Sequence, residues 1–219
     1  MFKKTLGLWM AFMMIFSLAA CGQAAPGSSE STPSNESATR SEAPESQATK
    51  TSEAETSSDD GKTLVVYFSW SGNTEEMANH IAEQTGGDLF EIEPKTPYPD
   101  DYNETGDIAE KERDENARPE IADLPDSIEE YDTILVGYPI WWHTAPMIIG
   151  TFLENYDLTG KEIYPFTQSA SMDTEQFKNS MDFVRENAAN ANVHDGLFVS
   201  ESDTDGIDAY LLENGLLTN

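Results

Sequence analysis

Cysteine is almost missing from this 219-residue chain, which has Cys21 alone. A lone thiol excludes an internal disulfide framework and any site built from several thiolates. Basic residues are scarce too: 12 lysines and arginines stand against 41 aspartates and glutamates, for a formal net charge of −29. Such a polyanion neither wraps nucleic acid nor is held by charge on an anionic membrane, and its natural charged partners are basic. Residues 22–61 have no aromatic side chain and no Val, Ile, Leu or Met. A segment with so little apolar surface cannot offset the entropy of ordering, so 22–61 is expected to be a disordered Ser/Glu/Ala/Thr linker. Long apolar runs are also lacking, except for "LGLWMAFMMIFSLAA" near the start. At about 15 residues that run is short for a membrane-spanning helix.

What surrounds that run gives it a meaning. Lys3 and Lys4 precede it and Cys21 closes it, the order of charges, apolar residues and small residues found in an export signal. "LAAC" resembles the lipobox of bacterial lipoproteins, which implies that residues 1–21 are a signal peptide and that Cys21 is diacylated as the mature N-terminus. The expected location is the extracytoplasmic face of the cell membrane, reached through the N-terminal lipid. Flexible-chain scaling over residues 22–61 puts the folded part on the order of 35 Å from the lipid.

Residues 62–219 remain, the size of one α/β domain. Eight of the acids and four of the bases precede residue 62, so 33 acids and 8 bases, a net −25, belong to this domain. Strand and helix patterns alternate along it. "TLVVYF" (63–68) is a continuous apolar run, as in a strand covered on both faces. A helix is expected over 74–85, with Met77, Ala78, Ile81 and Ala82 on one face and two glycines at its end. "DLFEIEP" reads as a second strand, and a polar helix follows near 103–116. "DTILVGYP" and "EIYPFT" read as strands three and four, each followed by a helix, the second marked by Phe177, Met181, Val184 and Ala188. "VHDGLFV" is expected as strand five, with a last helix in "DGIDAYLLENGLL". Five strands alternating with helices imply a parallel sheet with helices on both faces. Pro165 in strand four stands against this, since proline cannot donate to a ladder.

In such sheets ligands bind beyond the carboxyl ends of the strands, which points to three loops. The first is "SWSGNT", with Ser69, Trp70, Ser71, Gly72, Asn73 and Thr74. Hydroxyls, a glycine and backbone amides at a helix N-terminus can hold a phosphate without a lysine. The pattern is neither a Walker loop nor G-x-G-x-x-G, and a turn whose Ser and Thr merely cap the helix is the plainer alternative. The second loop, "GYPIWWHTAP", carries Pro139, Ile140, Trp141, Trp142 and His143. Two adjacent tryptophans cannot both point inward, so a flat apolar ring system is a candidate partner; otherwise one packs inside while the other covers the surface. The third loop starts with Thr167, Gln168, Ser169 and Ala170. His80 and His194 lack ligand spacing and are expected at the surface, and no metal site is expected.

The first loop closely resembles the phosphate loop of the flavodoxins, T/S-x-T/S-G-x-T, and "PIWW" before a second proline resembles the flavin loop of that group and of related quinone reductases. The resemblance extends over 62–219. It implies a three-layer, doubly wound sandwich with a five-stranded parallel sheet in the order 2-1-3-4-5. It also implies FMN as cofactor, with the phosphate in the first loop and the isoalloxazine between the second and third. The third loop departs from the pattern, since related sequences usually carry glycines there and this one has none. Two functions follow from the resemblance: an electron-transfer flavoprotein with a basic redox partner, or an FMN-dependent NAD(P)H:quinone or flavin reductase. A lipoprotein that holds flavin without turnover is a more remote third.

Overall fold

The computed structural model describes residues 61–171 and 173–218. Cys21, the signal peptide and the linker up to residue 60 lie outside the described residues. The elements in chain order are β1 (Lys62–Tyr67), α1 (Asn73–Thr85), β2 (Asp88–Glu91), α2 (Tyr102–Asp114), β3 (Tyr131–Pro139) and α3 (Met147–Asn155). There follow β4 (Glu162–Gln168), α4 (Thr174–Asn187), β5 (Asn192–Val193), β6 (Leu197–Phe198) and α5 (Thr204–Glu213). All strand pairings are parallel, in the order β2-β1-β3-β4-β5, with β6 also paired to β4.

The apolar runs behave as a doubly covered sheet requires. Alternate residues of β1 and β3 enter opposite cores: Leu64, Val66, Ile134 and Val136 pack with α3 and α4 residues such as Ile148, Phe152 and Val184. Val65, Tyr67 and Leu135 pack with Met77, Ala78 and Ile81 of α1 and Ile207 and Leu211 of α5. The result is a helix–sheet–helix sandwich with two cores. Ala82, expected on the buried face of α1, sits at its rim.

The expected fifth strand is corrected: it is two short pieces, broken at His194–Gly196. Pro165 explains the break. The amide of Asn192 donates to the Lys161 carbonyl and that of His194 to the Ile163 carbonyl, both at 2.9 Å. Odd-numbered residues of β4 therefore face this edge, and Pro165, next in that series, has no N–H to continue the ladder. Pairing resumes one step later, at Phe166 with Leu197. On the other side β4 pairs with β3 through Pro165 without interruption, so a proline is accommodated inside the sheet.

Because β1, β3 and β4 are parallel neighbours, their carboxyl ends lie at one end of the sheet. The loops after Tyr67, Pro139 and Gln168 are thereby brought together.

A candidate cofactor cleft at the carboxyl ends of the strands

Those three loops, with α2 as a fourth wall, enclose a cleft of about 630 Å³. Trp70, Ser71 and Asn73 line it from the first loop, and Pro139 through His143 from the second. Gln168, Ser169, Ala170 and Ser171 line it from the third. Among the described residues, no lysine or arginine lines it.

The first loop is a turn built on Gly72, whose φ of 89° is costly for any residue with a Cβ. Its amide donates to the Ser69 hydroxyl at 3.1 Å, and its carbonyl accepts the first helical bond from the Glu76 amide at 2.9 Å. The amides of Asn73, Thr74 and Glu75 come before that bond and belong to the open end of the helix. No side chain caps α1. The expectation that Ser or Thr merely caps the helix therefore fails. Thr74 is instead buried, and its hydroxyl is unpartnered among the described residues. A buried hydroxyl without a partner costs about 1–3 kcal/mol, a cost that a bound acceptor would remove. Ser69, Gly72 and Thr74 frame the turn, while Ser71 and Asn73 face the cleft.

The second loop separates its tryptophans. Trp141 packs edge-to-face between Phe68 and Tyr98, with ring centroids 5.2 and 5.1 Å away. Below it, the Tyr98 hydroxyl donates to Glu112 at 2.8 Å. Burial raises the Glu112 carboxyl above its ordinary range, although the bond from Tyr98 opposes the shift, and burial and the Glu112 charge push the Tyr98 phenol up. Trp142 is exposed, its indole N–H donating to the Gly106 carbonyl of α2 at 2.7 Å, with the Arg113 guanidinium 5.3 Å from its ring. Trp141 and Thr144 exchange two backbone hydrogen bonds of 3.0 Å, closing a two-residue turn. Its central residues, Trp142 and His143, have φ of 45° and 68°. Two positive φ values in succession suit Asn-Gly, and two bulky residues there carry strain.

In the third loop Thr167 is corrected: it is fully buried, its hydroxyl donates to the Tyr138 carbonyl, and it does not reach the cleft. Gln168 does, although largely buried, and the Ser169 and Ser171 hydroxyls lie 3.1 Å apart beside it. Side-chain hydroxyls thus stand where glycine amides are expected.

The flavodoxin resemblance also implies Tyr102 near the flavin, and Tyr102 lines the cleft, whereas the rest of the α2 face and Gln176 were not read from the sequence as parts of the wall. Asn103, Gly106 and Asp107 form one helical stripe on the cleft, a spacing that the polar composition of α2 concealed. His80 and His194 are corrected as well, being half-buried ties between elements. His80 meets Asp208 of α5 at 2.7 Å, and His194 pairs with Glu162 and stacks on Tyr164. His143 is exposed at the cleft.

The family model described as Flavodoxin matches residues 62–214. The chain belongs to the flavodoxin family. Among solved structures, a candidate flavoprotein from Bacteroides eggerthii is 34% identical, with a TM-score of 0.63, over 70% of this chain and 98% of that one. A flavoprotein from Lactobacillus acidophilus, solved in complex with FMN, is 32% identical with a TM-score of 0.55, over 68% of this chain and 99% of that one. None of the curated proteins matches the chain. The strand order expected of a flavodoxin, 2-1-3-4-5, is the order observed.

Proposed function

We propose that this flavodoxin-family domain binds FMN non-covalently in the cleft and passes electrons to or from a basic protein partner while tethered by a lipid on Cys21. The unpartnered Thr74 hydroxyl at the open end of α1 carries the reading. Its neighbours Ser71 and Asn73 line the cleft, which among the described residues has no lysine or arginine, and hydroxyls with oriented amides are a donor set suited to a phosphate held by hydrogen bonds. The Lactobacillus flavoprotein in complex with FMN adds support through its likeness to this chain.

The Thr74 hydroxyl, Ser71, Asn73 and the first amides of α1 would hold the phosphate. The loop of Pro139 to His143 would bound the ring on one side, and Gln168 to Ala170 on the other. FMN when bound supplies the electron-transfer chemistry; the protein binds it, orients it and sets the charge around it. The net −25 of residues 62–219 steers basic partners toward the surface and repels anionic ones. Lys3, Lys4, the apolar run and "LAAC" support the anchor on the extracytoplasmic face.

The visible spectrum of the purified protein, as isolated and after addition of FMN, tests the binding. Bound-flavin absorption with quenched flavin fluorescence is expected, and a protein that is colourless once unbound FMN has been removed, with no quenching in the mixture, overturns the reading. For the anchor, Cys21→Ser should release the protein from the membrane fraction, and equal retention contradicts it.

A further inference from the structure

Two tryptophans face the cleft from opposite loops, and both have their indole N–H committed to the same stretch of chain. Trp70 donates to the Pro99 carbonyl at 2.9 Å, and Trp142 donates to the Gly106 carbonyl at 2.7 Å. The Pro99 carbonyl, three residues before α2, also accepts from the Thr105 hydroxyl at 2.7 Å, so the Trp70 bond is tied to the first turns of α2 through a shared acceptor. Arg113, one helical stretch farther on, lies over the Trp142 ring. The helix itself offers little to the core, since only Thr105 and Ala109 of its residues are buried. Side chains of the ligand loops therefore hold α2 at two places, the segment that leads into it and Gly106 midway along its cleft-facing stripe.

The strain in the second loop fits this arrangement. Trp142 and His143 hold positive φ, a conformation that persists only where the surroundings overdetermine it. The bond from Trp142 to Gly106 and the Arg113 contact join the two Trp141–Thr144 backbone bonds as the surroundings that do so.

We propose that Trp70 and Trp142 are positioning residues: their indole N–H groups latch α2 as a movable wall of the cleft, and unlatching lets the ligand in and out. The proposal rests on the FMN reading for the identity of the ligand, while the latch belongs to the protein alone. In the latched state the wall retards escape, so the latches act on the dissociation rate more than on the association rate.

Trp142→Phe and Trp70→Phe each keep an aromatic ring and remove one donor. Hydrogen exchange of the ligand-free protein is the first measurement. Loss of one such bond should speed exchange of the α2 amides by about threefold to tenfold, with β3 and α3 unchanged. The second is stopped-flow release of FMN, whose dissociation rate should rise by a similar factor while the association rate holds or increases. Trp142→His, which keeps a ring N–H, should recover part of both effects. Unchanged exchange in α2 in both variants overturns the latch, as does acceleration spread evenly over the sheet, which means general destabilisation. If FMN fails to bind the unaltered protein, the FMN reading falls while the exchange experiment still decides the latch.

Discussion

Thr74 had two sequence readings, a phosphate-loop hydroxyl and a plain helix cap, and the structure removes the second. A threonine at the start of a helix is ordinarily read as a cap, yet here Gly72 holds the capping position without a side-chain bond and Thr74 is buried without a partner. The sequence shows hydroxyls near a helix start; it does not show which of them the backbone already uses. Thr167 is the converse case, since its hydroxyl is consumed by the Tyr138 carbonyl of the neighbouring strand, a long-range pairing no local pattern reveals. Gly72 itself was legible, because only a residue without Cβ turns the chain there cheaply. A Cβ at that position meets nothing within 4 Å, so the cost of Gly72→Ala is backbone strain alone. Urea unfolding of the ligand-free protein should show a loss of about 1–2 kcal/mol, and an unchanged midpoint would place the strain elsewhere.

The elements were the most readable level, because the runs of β1 and β3 have the length and β-branched content of buried strands and α1 and α4 carry apolar stripes of the right period. Met77, Ala78 and Ile81 are buried as the periodicity requires, and so are Met181, Val184 and Ala188. The edge of the sheet was not readable. "VHDGLFV" has the composition of one strand, and its division depends on Pro165, which lies in a different element. The Trp142-His143 turn is similar: the residue types argue against positive φ, and the folded surroundings impose it. His143→Gly removes the strain at one of the two positions. Thermal melts of the ligand-free protein should show a gain of about 1 kcal/mol, the difference between relieved strain and the added freedom of glycine in the unfolded chain. A loss of stability would mean that His143 makes contacts outweighing its strain.

At the scale of the whole molecule, charge dominates. Burial raises Glu91 and Glu112, so the folded state takes up their protons before the unfolded state does, and stability rises as pH falls toward their raised values. Relief of repulsion within a domain of net −25 acts in the same direction. Glu154, beside Arg118, and Glu162, beside His194, are held below the ordinary carboxylate range. Their stabilisation is present above the unfolded carboxylate value and is lost as pH falls through their lowered values. Thermal melts across pH should therefore peak on the acid side of neutrality and decline at still lower pH, as Glu154 and Glu162 take up protons. A monotonic fall from pH 8 downward contradicts this balance. Thr74 carries the one buried unsatisfied hydroxyl among the described residues, and Thr74→Val, which keeps the shape and deletes the donor, tests its role. FMN and riboflavin affinities are measured on both proteins by fluorescence titration. Loss of a hydrogen bond to a charged phosphate, typically about 1.5–3 kcal/mol, predicts FMN binding weakened about tenfold or more. Riboflavin binding and ligand-free stability should be undiminished. Equal losses for the two ligands, or no loss for FMN, would contradict the account.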